Sequence, residues 1–209
     1  MTLSPPFPLC PNTPGSGAAP RSALTSLVLT PQGLRAGDRV IPVSIGRGGV
    51  TLAKAEGDGA TPAGSHAILG LRYRPDRLAA ARFAHLPRHF ARPILPGDLW
   101  CDDPAHAAYN QPARAPLAAS AESLRRADPL YDLILVTGWN APPATPGAGS
   151  AIFIHVWRRP GWPTAGCIAM ARADLLWLTD RLTPATRLIV PATLAQTKTR
   201  RKTGALGKI

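Results

Sequence analysis

A mainly β domain with one or two short helices is the fold class the sequence predicts, and three observations carry it. The strongest apolar runs are short, as in residues 131–137 (YDLILVT) and 151–157 (AIFIHVW). Turn formers punctuate the whole chain, with 19 Gly and 24 Pro among 209 residues. A helical stripe occurs in residues 171–182, through Leu175, Leu176, Leu178 and Leu182. Hydrophobic residues make up 45% of the chain, enough for a real core. No apolar run approaches the roughly 20 residues that span a membrane.

Taken in order, residues 1–22 are rich in Pro, Gly and Ser and read as a disordered arm. They hold no basic start followed by an apolar run, so no signal peptide is legible there. One domain is expected over residues 23–195, followed by a basic tail at 196–209. Residues 24–30 predict a strand, and Pro31-Gln32-Gly33 a turn. Residues 39–45 (RVIPVSI) predict a second strand, with Pro42 placing it at a sheet edge. Residues 46–49 form a turn; no Gly-Lys-Ser/Thr follows, so it is not a phosphate loop. Three Gly and one Pro in residues 54–64 predict a loop, and residues 65–73 a strand. Residues 74–98 give no clear element. Ser120 is a candidate cap for a short helix through about Arg126. Residues 131–137 are mostly apolar and predict a central strand. A loop at 142–149, a strand at 151–157, a helix ending before Pro184 and a last strand at 186–190 complete the domain.

The formal net charge is +12. Lys198, Arg200, Arg201, Lys202 and Lys208 concentrate part of it at the C-terminus. Charge alone does not make a nucleic-acid binder. Helix-turn-helix, zinc-finger and ribonucleoprotein signatures are not found, and no nucleic-acid partner is expected. A basic binder that works through residues 198–209 stays as an alternative from another class. The three cysteines, Cys10, Cys101 and Cys167, form no C-x-x-C. At least one free thiol is therefore expected. His85 and His89 stand four apart, but Pro87 lies between them and no glutamate follows His85, so they read as surface histidines. No metal and no cofactor are expected.

The informative segment runs from His155 to Met170 (HVWRRPGWPTAGCIAM). His155 lies inside an apolar strand. A lone histidine there is more often a core residue bonded to a backbone carbonyl. Cys167 follows Gly166, which permits a sharp turn that exposes backbone amides, and it precedes a helical stretch. Amides near Gly166 and Cys167 are candidates to hold an oxyanion, and the helix start is expected to favour a thiolate. An imidazole beside the thiol takes its proton and raises its reactivity. The spacing of positions 155 and 167 permits, but does not require, a strand, a loop and a return that bring them side by side. Trp157 and Trp162 flank this segment as candidates for groove lining or for packing.

This segment resembles the signature of the YkuD-type L,D-transpeptidases: a histidine at the end of a strand, a loop, then Ser/Thr-x-Gly-Cys and an apolar residue. Thr164-Ala165-Gly166-Cys167-Ile168 matches it. The run from Gly149 to His155 is similar to the strand leading into the base. The run from Gly57 to Gly64 (GDGATPAG) is similar to the upstream T-P-x-G element. Asp102, Tyr109 and Asn110 resemble an acidic-then-Tyr-Asn segment. The likeness covers about residues 25–192. It implies a β-sandwich-like catalytic domain acting on peptidoglycan stem peptides, with Cys167 as nucleophile and His155 as base. It points to Thr164, Ala165 and Gly166 as the oxyanion motif. Tyr109, Asn110, Trp157 and Arg158 are candidates to touch substrate. It also implies a cell-envelope or periplasmic location, although a cytoplasmic one stays open. Two departures stand out. Ala169 replaces a common arginine, with Arg158, Arg159 or Arg172 as candidate substitutes, and Ala165 replaces a common second histidine. The readings left open are transfer to an amine, hydrolysis as an L,D-carboxypeptidase or amidase, and an inactive wall-binding domain.

Overall fold

The computed structural model describes residues 22–195. The Pro-rich arm through residue 21, Cys10 and the basic tail at 196–209 lie outside the described residues. The strands are β1 (Ser26–Thr30), β2 (Gly33–Ala36), β3 (Arg39–Ile41), β4 (Val43–Ser44), β5 (Val50–Thr51), β6 (Thr61–Pro62), β7 (Gly64–Tyr73) and β8 (Ala91–Pro93). There follow β9 (Asp98–Cys101), β10 (Gln111–Arg114), β11 (Ala121–Ser123), β12 (Leu133–Thr137), β13 (Phe153–Val156), β14 (Ile168–Met170) and β15 (Arg187–Val190). The α-helix α1 (Arg172–Thr179) lies between β14 and β15.

Ten strands form one sheet in the order β3-β2-β1-β15-β7-β12-β13-β14-β4, with β8 added beside β7. Its two ends are β3 and β4, which only Pro42 separates in the chain. The sheet therefore curls back toward itself into a barrel-like form. Residues 39–45 are not one edge strand, as the sequence predicted, but two strands on opposite ends of the sheet. Proline has no N–H to give a ladder, and the chain changes partner there. The 151–157 strand is trimmed to β13. The 131–137 strand becomes β12 behind a 3-10 turn at Pro129–Tyr131, where the Asp128 side chain accepts from Leu130 N at 3.2 Å.

β12 is buried along its whole length because both its faces are covered. Leu133 and Leu135 pack into the main core with Ile154, Ile168, Leu175 and Leu178. Ile134 and Val136 pack on the other face with Trp100, Leu124 and Phe153. That second layer is the small sheet β10-β9-β11. Residues 74–98, which gave no clear element, supply β8 and bury Phe83, Leu86 and Phe90 against the main core.

The helix expected from Ser120 to Arg126 is absent. Ala121–Ser123 is strand β11, paired antiparallel with β9 so that Glu122 stands opposite Trp100. The pairing in the second layer overrides a weak local helix preference. It also turns Glu122 toward the site described next.

Candidate active site

β13 alternates its side chains as any strand does. Ile154 and Val156 enter the main core, while Phe153 faces the second layer. His155 shares the Phe153 face and is buried. β14 runs parallel to β13, with His155 in register with Ala169. Cys167 sits one residue before β14, at the mouth of the loop joining the two strands. The topology thus brings the thiol and the imidazole to one end of one strand pair.

Both side chains are fixed by backbone partners. His155 Nδ1 lies 2.8 Å from Val156 O. A carbonyl only accepts, so Nδ1 carries the proton and Nε2 presents its lone pair. Tyr131 stands edge-on to the imidazole, with ring centroids 5.3 Å apart at 81°. Cys167 Sγ donates to Ala151 O at 3.1 Å and accepts from Phe153 N at 3.3 Å. Ala151 holds a positive φ of 51°, and its own N–H donates to Asn110 Oδ1 at 3.0 Å.

The loop bearing Cys167 is strapped down. Thr164 N donates to Ile45 O and Arg47 N to Thr164 O, both at 2.9 Å. Thr164 Oγ1 donates to Cys167 O at 2.6 Å and accepts from Gly166 N at 3.1 Å. Buried Thr61 accepts from Gly46 N at 3.0 Å and donates to Gly166 O at 2.8 Å. Gly166 has φ 141°, and a Cβ there would lie 2.9 Å from Ala60 O. Glycine is required at this position both for its φ and for the close approach of two backbones.

A cleft of about 540 Å³ opens over these groups. Cys167, His155, Thr164, Ala165, Trp157 and Arg158 line it. So do Ala169, Tyr131, Glu122 and Asp102. Asp102 Oδ1 is buried with no hydrogen-bond partner. Glu122 accepts from Tyr131 Oη at 2.7 Å, and burial raises its carboxyl pKa despite that bond.

Burial keeps the resting pair neutral. It pushes the Cys167 thiol up to about 12; Glu122 adds to the rise, while Phe153 N–H and Lys54 oppose it. Burial pulls His155 down to about 4, and the Arg126 charge acts in the same direction. The expected thiolate at a helix start is therefore not the resting state. β14 stands between Cys167 and the first residue of α1, so the helix end does not adjoin the sulfur.

The model of the L,D-transpeptidase catalytic domain family, YkuD, matches residues 27–190. The chain belongs to this family. No curated protein and no solved structure gives a significant match. Members of the family act on peptidoglycan, and the strand-rich, barrel-like fold with one helix is consistent with it.

Within this YkuD domain the residues singled out from sequence separate into two groups. Eight of them gather in the cleft, Asp102 and Trp162 together with Cys167, His155, Thr164, Ala165, Trp157 and Arg158. Tyr109, Asn110 and Gly166 do not line it. Tyr109 is buried, with its hydroxyl donating to Glu56 Oε2 at 2.5 Å and accepting from Gly149 N at 3.1 Å. Asn110 is buried and fully engaged, so both serve as ties between loops. The Gly166 amide is held by Thr164 within its own loop. Of the candidate replacements for the missing arginine, Arg158 alone lines the cleft. Arg159 stacks on Trp162 with 3.6 Å to the ring centroid, and Arg172 lies 3.7 Å from Asp132. Ala169 stands in register with His155 and lines the cleft. Sequence reasoning did not single out Glu122 or Arg126 as site residues, because the 120–126 segment read as a helix, nor Tyr131, which read as the start of a central core strand.

Cys101 and Cys167 are both free thiols, the former buried. His85 Nε2 lies 3.0 Å from Thr179 O, at the end of α1. Among the described residues no group of three or more His, Cys, Asp or Glu gathers to hold a metal. Among them, too, no helix is long and apolar enough to cross a membrane.

Proposed function

We propose that this chain carries out cysteine-dependent acyl transfer on peptidoglycan stem peptides, with Cys167 as nucleophile and His155 as general base. The observation that carries the reading is the shared cleft: a free thiol and a neutral imidazole line one groove of a YkuD domain. Nδ1 of His155 is tied to Val156 O, which leaves Nε2 as the basic nitrogen. Cys167 Sγ attacks the carbonyl on the L-centre of the diamino acid, and its proton passes to His155. As the tetrahedral adduct collapses, the C–N bond to the terminal D-alanine breaks. His155 returns the proton to the leaving amine, and a thioester remains on Cys167. An amine of a second stem then attacks the thioester, gives a proton to His155 and releases the thiol.

The neutral resting pair suits this order of events. A base held well below neutral pH is free to accept, and proton transfer accompanies attack rather than preceding it. The cleft offers charges of both signs, as a stem peptide with carboxylates and an ammonium group requires. The cell envelope is the proposed location, since that is where the substrate lies. The test is release of D-alanine from a peptidoglycan tetrapeptide, with and without an amine acceptor. Wild type should release it and form the cross-linked product. Release at the wild-type rate by Cys167→Ala would overturn the proposal.

A further inference from the structure

A second groove, of about 610 Å³, lies away from the cleft of Cys167. Arg72, Arg88, Arg92 and Arg114 line it, with Asp98 as its carboxylate. Asp98 is already engaged: Oδ1 accepts from Arg114 Nη1 and Oδ2 from Leu95 N, each at 2.8 Å. Arg72 and Arg92 stand opposite one another in the register of β7 and β8. Like charges placed across a ladder repel. Burial and the charge of Arg92 both lower the Arg72 guanidinium pKa, with Asp98 opposing. The Arg72 guanidinium donates to Leu71 O at 3.1 Å, a backbone oxygen of its own strand. Among the described residues neither Arg88 nor Arg92 has a carboxylate within ion-pair distance. Several other arginines do have carboxylate partners, as in Arg74 with Asp76, Arg77 with Asp132 and Arg82 with Asp180, whereas Arg35, at an exposed site, has none among the described residues.

Three guanidiniums without an ion-pair partner thus line one concave space, Arg72 half-buried and Arg88 and Arg92 exposed, with Arg72 and Arg92 opposed across the ladder. We propose that this groove binds a phosphate group. Three planar forks present more donors than the two oxygens of one carboxylate can accept, and they match the tetrahedral oxygens of phosphate. Leu95, 43% exposed at the groove, gives an apolar neighbour that suits a phosphate carried by a lipid. The phosphate comes from a soluble ester or from a phospholipid headgroup, and the experiment separates these.

Inorganic phosphate is titrated into the full chain by calorimetry, and the same protein is floated with phosphatidylglycerol–phosphatidylcholine vesicles. Arg92→Gln is compared with Arg35→Gln, the same charge loss at an exposed site on β2. Saturable phosphate binding should weaken about tenfold in Arg92→Gln, the scale of a lost charge-assisted bond, and less than about twofold in Arg35→Gln. Vesicle retention with the same ranking makes a headgroup the source; phosphate binding without retention makes it a soluble ester. Without phosphate, Arg92→Gln should melt no lower than wild type, because a like-charge pair is relieved. Neither binding nor retention, equal losses in both variants, or a clearly lower melting temperature for Arg92→Gln would each overturn the proposal.

Discussion

The chemistry of the Cys167 sulfur is set by its immediate neighbours. Ala151 O accepts its proton-side bond, Phe153 N–H touches its lone pair, and burial opposes ionisation. The free protein should therefore alkylate slowly with iodoacetamide at neutral pH. The rate should climb about tenfold per pH unit from neutral pH to about 10, since only the thiolate reacts. A rate already flat below pH 8 would instead reveal a standing thiolate–imidazolium pair. His155 and Cys167 were legible as a candidate pair because thirteen consecutive positions, from His155 through Cys167, hold strand, loop and thiol together. The Ala151 contribution was not legible. An alanine at positive φ carries no sequence signal; the conformation is imposed by a bond arriving from Asn110, 41 residues away.

Asn110 shows how elements far apart in sequence build the site. Its Oδ1 accepts from Trp100 Nε1 and Ala151 N, and its Nδ2 donates to Trp139 O and Asn140 O, at 2.7–3.0 Å. One side chain thereby joins β9, the 139–151 loop and the residue that holds the thiol. Its own φ of 55° is one that asparagine tolerates better than most residues. Asn110→Ala should cost about 2–4 kcal/mol in denaturant unfolding, because two donors and two carbonyl acceptors lose their partners. Turnover at temperatures where the variant is folded should fall as well, since Ala151 O would lose its aim at Cys167. Full activity in a folded Asn110→Ala would separate the tie from the site. β7, β12 and β13 were readable because each lies in a longer apolar run of the sequence. β9, β10 and β11 were not, because they lie in no apolar run and their pairing is non-local. That failure hid Glu122.

At the scale of the whole molecule, the curled sheet holds a buried imidazole and a half-buried thiol whose pKa values desolvation has moved in opposite directions. His155 binds its proton at about 4 in the folded chain against 6.5 ordinarily. Between those values the unfolded chain holds more protons, so stability should fall as pH drops from about 6.5 toward 4. Cys167 holds its proton to about 12 against 9.0 ordinarily. Above about pH 9 the unfolded chain loses that proton first, so stability should fall again as pH rises. Melting temperatures across pH should thus form a plateau with two shoulders, and Cys167→Ala should reduce the alkaline decline. An alkaline limb unchanged in that variant would contradict the raised pKa of the Cys167 thiol. The barrel-like closure through Pro42 was beyond the sequence, which marks a proline at an edge but not that β3 and β4 are the two ends of one sheet.

The most direct test of Cys167 as nucleophile is intact mass measurement after mixing the purified protein with a peptidoglycan tetrapeptide. The expected result is a thioester adduct that maps to Cys167, formed with loss of D-alanine and discharged by an amine acceptor. D-alanine release with no adduct on Cys167, persisting in Cys167→Ala, would contradict it.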